Sequence, residues 1–415
     1  FFKKSDTFNF LKIRGSFGTL GNDQIPSNGY VGSLSGEATY VFDNALTSGV
    51  AGGQIPNPDL KWEQSEKFDV GFDLKLFNNK ISIVADYFDD TRNDLLIPNI
   101  PVSGILGVGA PGASAPTINA GSVKNSGFEF AIDYNTKLSE NFSMSLGYNV
   151  AYVNNEVTEV NNGTGFIEQG NFGVGQPVIA RMEVGKPMGY FYGYKTDGIF
   201  QNQAEVAAHP SQKALGADAV PGDLRYVDIN GDGVLDTKDR TDLGNPIPDY
   251  TMGFNLQLNY KNVDFGVYTY ASLGNDMVRN YERTLSDVNH TDYVLGRWTG
   301  EGSTNSNPRV TTDATANRVF SDYFVEDASY LRIQNVQLGY SFSQQVLDKI
   351  GMTKFRIYTA INNLYTFTKY NGYDPAQSNG PQNQDNVSNS PIGAGIDYGF
   401  YPIPRTYMLG LNINF

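Results

Sequence analysis

Gly127-Phe128-Glu129-Phe130-Ala131-Ile132-Asp133-Tyr134 is followed, after a short polar break, by Phe142-Ser143-Met144-Ser145-Leu146-Gly147-Tyr148-Asn149-Val150-Ala151-Tyr152. In both runs every second residue is large and apolar, and those between are mainly small, polar or charged. Side chains of an extended strand point alternately to opposite faces, so each run reads as a strand with one apolar and one hydrophilic face. A helix, repeating every 3.6 residues or so, would scatter Phe128, Phe130, Ile132 and Tyr134 around its surface. Ser139-Glu140-Asn141 between the runs is short enough for a tight hairpin.

The same period recurs along the chain. Phe68, Val70, Phe72, Leu74 and Leu76 alternate with Lys67, Asp69, Gly71, Asp73 and Lys75. Met252, Phe254, Leu256, Leu258 and Tyr260 alternate with Gly253, Asn255, Gln257 and Asn259. Further strands fit near 8–19, 80–91, 263–272, 323–342, 354–367 and 403–415, about ten in all. Their connections alternate too. Phe77–Lys80, Ser139–Asn141 and Lys261-Asn262 are tight, and Ser343–Thr353 is compact. Between them lie long polar stretches rich in Gly, Pro and Asn, at 20–60, 92–125, 154–249, 273–322 and 368–402.

Long loops without regular structure are uncommon in compact soluble domains, whereas an outer-membrane barrel has short turns on one side and long loops on the other. A β-sandwich shows the same alternation. Strand length and loop asymmetry favour the barrel, because several runs are long enough to cross a bilayer at a tilt. Tyr134, Tyr148, Tyr152, Tyr260 and Tyr340 lie at or towards strand ends, where an aromatic girdle would sit. No stretch approaches the apolar length of a membrane helix. The last run, Tyr407, Leu409, Leu411, Ile413 and Phe415, ends on an aromatic residue, like the signal read by barrel-assembly machinery. The expected fold is therefore all-β, an antiparallel transmembrane β-barrel with long extracellular loops. Phe68, Phe130, Leu146 and Leu256 should face lipid, and Asp69, Glu129, Asp133 and Asn255 the interior.

Composition narrows the function. A net charge of −14 disfavours nucleic acid, which demands a basic surface. With Cys 0 there is no thiol nucleophile, disulfide or cysteine–zinc framework. The opening Phe1-Phe2-Lys3-Lys4 carries neither an initiator methionine nor a signal peptide, so the chain reads as a mature fragment whose beginning lies elsewhere.

The sharpest local motif is Asp228-Ile-Asn230-Gly-Asp232-Gly233-Val234-Leu-Asp236-Thr-Lys-Asp239. Side-chain oxygens stand at loop positions 1, 3, 5, 9 and 12, a glycine at 6 and the Val234 carbonyl at 7, the spacing of a Ca²⁺ loop. Asp239 replaces the usual final Glu, and no helical pattern flanks the loop, so the expected role is a structural Ca²⁺ clip; the plainer reading is an acidic turn. Tyr190-Phe191-Tyr192-Gly193-Tyr194 is expected to pack onto the barrel rim. Its alternative role is a stacking surface for sugar rings or peptide side chains through Tyr190, Tyr192 and Tyr194. Gly107-Val-Gly109-Ala-Pro-Gly112 has dinucleotide-loop spacing, but Pro111 leaves no helix to receive a pyrophosphate. His209 and His290 stand in loops without a catalytic companion.

Several stretches together resemble the SusC/RagA family of TonB-dependent outer-membrane transporters of Bacteroidetes. They are Asn57-Pro-Asp-Leu-Lys-Trp-Glu63, Asn119-Ala-Gly-Ser-Val-Lys-Asn-Ser-Gly-Phe-Glu129 and Gly185-Lys-Pro-Met-Gly-Tyr-Phe-Tyr-Gly-Tyr194. Gly222-Asp-Leu-Arg-Tyr-Val-Asp228, Glu326-Asp-Ala-Ser-Tyr-Leu-Arg332 and Tyr401-Pro-Ile-Pro-Arg-Thr-Tyr407 complete the set. The resemblance implies a large plugged barrel that imports oligosaccharides or peptides, drawing energy from TonB beneath a SusD-like lipoprotein lid. About ten strands, against 22 in plugged transporters, mark the chain as the C-terminal portion of such a barrel, without its plug or TonB-binding segment. A small-barrel outer-membrane enzyme (protease or lipase) and a passive porin or adhesin are the competing readings.

Overall fold

In a computed structural model, which describes residues 5–23, 25, 29–98, 115–173, 176–281, 291–376 and 391–415, alternation becomes one ten-stranded antiparallel sheet. Its strands are β1 (Phe8–Asn22), β2 (Glu63–Leu76), β3 (Ile81–Asn93), β4 (Gly121–Ser139) and β5 (Phe142–Val160). They continue with β6 (Tyr250–Tyr260), β7 (Val263–Leu273), β8 (Tyr330–Ser341), β9 (Lys354–Thr368) and β10 (Thr406–Asn414). Each strand pairs with the next in sequence, and β1 and β10 are the sheet's two edges among the described residues. Tight turns at one end use residues that tolerate positive φ, such as Asn78 and Asn79 (φ 57 and 62).

Register puts the expected residues on the expected faces. Phe130 pairs with Val150 and Leu256 with Leu146, on the face that also carries Phe68. Asp133 pairs with Gly147 and Gly147 with Asn255, on the opposite face with Asp69 and Glu129. Aromatic residues border the apolar face at two heights. Near the long loops, Phe128 stacks on Tyr152 at 5.5 Å, and Tyr250 packs tilted against Tyr152 at 5.1 Å. Near the tight turns, Phe142 meets Tyr260 at 6.1 Å and Phe342 stacks on Phe355 at 4.7 Å. The run from Tyr250 to Tyr260 at strand rise and a barrel tilt spans roughly 24 Å, the height of an outer-membrane apolar band.

The hydrophilic face is held flat against the wall by ion pairs lying over glycines. Arg14 reaches Asp86 at 2.7 Å and Asp73 at 3.2 Å. A Cβ on Gly71 would collide with the Asp86 carboxylate, so only glycine lets that carboxylate lie across β2. Gly147 likewise leaves room for Asp133 and Asn255 to converge above it. Arg356 closes on Asp264 at 2.8 Å across two strand spacings.

Two expectations are corrected. The run 323–342 is not one strand: a short 3-10 turn (Asp322–Phe324) and Val325–Asp327 come first, and the wall strand starts at Tyr330. The long connections are not structureless. Ser33–Phe42 and Ala45–Gln54 form a hairpin, and 154–249 builds a sheet from Phe166–Gln169, Ala180–Glu183, Tyr190–Tyr194 and Arg240–Asp242. The reason is burial. Ile167, Ala180, Met182 and Met188 close a core with Val123 and Val157 at the outer ends of β4 and β5 and with Leu95, Ile97, Ala120 and Ile392 from other connections. The interleaved polar residues hid a core assembled from three separate connections.

Candidate functional site

The connections at the outer end form a cap over the wall, and most sequence-predicted site residues lie in it. A second core joins Phe172, Ile179 and Phe191 to Val278, Phe320, Phe324 and Ile396. A third joins Tyr194, Ile199, Leu224, Tyr226, Leu235 and Ala316. Tyr190 and Tyr194 are 2% and 7% exposed. The Tyr190 hydroxyl donates to the Glu183 carboxylate; burial, reinforced by that carboxylate, pushes it well above its ordinary range. Burial also raises Tyr194, which packs edge-on against Tyr226 at 5.9 Å. Tyr192 is half-buried, with the Arg181 guanidinium 3.5 Å and the Arg240 guanidinium 4.5 Å from its ring centre. Cation–π contact therefore occupies the ring, and Glu168 bridges the two arginines at 2.7 and 3.5 Å.

The acidic loop is a curled, amide-bonded turn. Asp228 Oδ1 accepts from Gly231 N at 2.7 Å and its Oδ2 from Gly233 N at 2.8 Å. Both glycines take positive φ, 71 and 81, where a side chain would be strained. Asn230 Oδ1 accepts from Asp232 N and Asp232 Oδ1 from Val234 N, each at 2.9 Å. Asp236 and Asp239 form a capping box over Thr237–Asp239. Asp239 is fully buried and accepts from Ile229 N and Asp236 N at 2.9 and 2.8 Å. Leu235 beneath anchors the loop in the third core, while Val234 stays exposed. Among the described residues no three or more acidic or histidine side chains are gathered closely enough to hold a metal. The donor set is all oxygen, as a hard cation requires, and each carboxylate oxygen that accepts one amide keeps a further lone pair.

His209 packs edge-on against Phe200 at 5.1 Å, with Nδ1 3.0 Å from the Pro210 carbonyl. Gly107–Gly112 and His290 lie outside the described residues. One hub went unread in the sequence. Asp223, 1% exposed, accepts from Arg309 Nε at 2.6 Å, Asn317 Nδ2 at 3.0 Å and Val220 N at 3.0 Å, pinning 220–226 to 309–317. No local pattern marks it, because its side-chain partners Arg309 and Asn317 are about ninety residues away.

The wall, its girdles and its cap match known proteins. Residues 6–268 match the family model described as TonB dependent receptor-like, beta-barrel. TonB-dependent receptor P3 of Formosa agariphila is 34% identical over 423 residues, covering 100% of this chain and 40% of that protein. SusC of Bacteroides thetaiotaomicron is 27% identical, again over 100% of this chain and 38% of its own length. The chain thus spans about two fifths of the curated relatives it matches. A solved structure of the RagAB peptide transporter superposes with a TM-score of 0.77 at 22% identity, over 100% of this chain and 42% of that one. The chain belongs to the TonB-dependent receptor family, as part of its outer-membrane β-barrel, and it is similar in sequence to SusC and in fold to the RagAB transporter.

Proposed function

We propose that the protein containing this chain imports an oligosaccharide or peptide across the bacterial outer membrane, driven by TonB and a proton gradient, beneath a SusD-like lipoprotein lid. The observation that carries the reading is the one-sidedness of the molecule. The wall is apolar outside and hydrophilic inside, and among the described residues a folded cap built on hydrophobic clusters stands at one end only. A hydrophilic lumen suits a water-soluble cargo, and a rigid rim is a docking surface for a lid. The name of the receptors it resembles supports TonB as the energy source, and the RagAB likeness in fold is to a peptide transporter. Uptake measured in matched strains with and without TonB tests the reading. Uptake should require TonB, and continued uptake without it would leave a passive pore.

We further propose that Asp228, Asn230, Asp232, Asp236 and Asp239, with the Val234 carbonyl, draw together from the curled turn to hold a structural Ca²⁺ when the ion is supplied. Support comes from the oxygen-only donors at calcium-loop spacing and the sharp turns at Gly231 and Gly233. Calorimetry on the intact protein should register Ca²⁺ binding that Asp232→Asn weakens at least tenfold. Binding unchanged by that substitution reduces the segment to an acidic turn.

A further inference from the structure

On the lipid-facing side of the wall, one row reads Ile13, Phe72, Ala85, Phe130 and Val150, each paired with the next. Ala85 is the one small side chain in this row, and an open hollow of about 1000 Å³ lies over it. Leu11 and Leu74 border the hollow towards the tight turns, and Val70, Tyr87 and Phe128 towards the long loops. Tyr87 and Phe128 continue the outer girdle row of Tyr152 and Tyr250, so the hollow sits in the outer half of the apolar band. The strands on both sides of Ala85 belong to this chain. Further strands of the barrel continue the sheet beyond its edges, β1 and β10, and whatever fills the lumen lies on the opposite face.

Above the girdle the same face turns polar. Asp89 stands two residues beyond Tyr87, and its carboxylate holds the Lys124 ammonium at 2.7 Å, with 41% of the Lys124 side chain exposed. Glu156 is directly opposite Lys124 on β5, and Glu66 lies two strands away on β2, across Thr91. Girdle aromatics mark the level of lipid headgroups, so this charged strip faces heads while the hollow faces acyl chains. An anionic head would meet one cation among three carboxylates. A zwitterionic head suits both signs. The Lys124 ammonium has three donors and Asp89 takes one, which leaves donors for a phosphate, while an amine on the head satisfies the carboxylates.

We infer that this face binds one phospholipid of the phosphoethanolamine type, with an acyl chain in the hollow over Ala85 and the head on Glu66, Asp89, Lys124 and Glu156. Bulk lipid is as apolar as the wall, so the hydrophobic effect does not select this site. Selection comes from van der Waals contact, where a flexible chain fills the space left by Ala85, and from the charges above it. The neighbouring Phe72 and Phe130 leave no comparable space.

Native mass spectrometry of the full-length transporter in detergent tests this, with phosphatidylethanolamine or phosphatidylglycerol of identical acyl chains added. Phosphatidylethanolamine should be retained about fivefold more than phosphatidylglycerol. Ala85→Leu and Ala85→Phe fill the hollow, and each should lower that retention about fivefold at equal amounts of heat-modifiable folded barrel. Lys124→Gln should bring the two lipids level. Thr359→Phe, outward on β9 between Leu338 and Leu409 and away from the hollow, should change neither. Equal retention of the two lipids by the unmodified protein overturns the site, as does higher retention of phosphatidylglycerol or of added lipopolysaccharide. Unchanged retention in both Ala85 variants overturns it too. A dimer of the transporter that Ala85→Phe dissociates also overturns it, and assigns the hollow to a second copy.

Discussion

Asp276 shows how a single residue is decided by its surroundings. It follows β7 outside the membrane band, where its amide donates to the Asn245 carbonyl at 2.7 Å and its carboxylate accepts from Asn245 N at 3.2 Å. Burial, with Asp327, Asp242 and Asp249 nearby, pushes its carboxyl from 3.8 to about 6. Below about pH 4 both folded and unfolded chains hold the proton, and the group contributes nothing. Between about 4 and 6 only the folded chain holds it, so stability falls as pH rises, and above about 6 the full cost remains. Asp276→Asn should therefore stabilise this junction at pH 7, by roughly 2 kcal/mol after allowing for partial wetting, and have no effect at pH 4. Hydrogen exchange at the amides of Asn245 and Asp276 across this pH range checks it; equal protection in both variants at pH 7 would refute it. Nothing local marks Asp276 in the sequence; its burial is made by chain segments that meet only on folding. The same holds for Tyr190 and Tyr194: their aromatic cluster is plain in the sequence, but their burial depends on Glu183 and on the core around Tyr226.

Among elements, the wall strands were the most legible. Alternation located all ten, because one side of each must satisfy hydrocarbon and the other water over the same few residues. Their outer ends were less legible. β4 and β5 run on to Gly121 and Val160, beyond the band, where the faces meet cap and solvent and the period fades. The face assignment makes a sharp prediction. Leu256→Arg puts a cation into the apolar band near its middle and should cost about 2–4 kcal/mol, whereas Gln257→Arg, one residue on, faces the lumen and should cost less than about 1 kcal/mol. Urea titrations of the folded barrel in lipid compare the two, and equal costs would mean the register is wrong. The acidic loop was legible in spacing alone. That Asp239 is buried and Val234 exposed follows from Leu235 inserting into a core whose other members lie before and after the loop.

At the scale of the whole molecule, the cap and the wall differ in what holds them. The wall is stitched by neighbour-to-neighbour pairing, while the cap cores draw on connections up to three hundred residues apart. Deleting most of 154–249 should leave a heat-modifiable barrel in the membrane. It should also expose Val278, Phe320, Phe324 and Ile396, making the remaining outer connections sensitive to trypsin on intact cells. Unaltered resistance in that deletion would mean the three clusters do not bind the cap together. The sequence by itself determined the all-β class, the ten crossings, the lipid and lumen faces, and which end carries the long connections. These follow from alternation and loop length, which are local and repeat with every hairpin. Only the tertiary structure decided that those connections are a folded cap, that Tyr190 and Tyr194 are packed away, and that buried Asp223 gathers Arg309 and Asn317. Each depends on contacts between residues distant in sequence, brought together by shared burial or strand register, and no local period records which distant partners will meet.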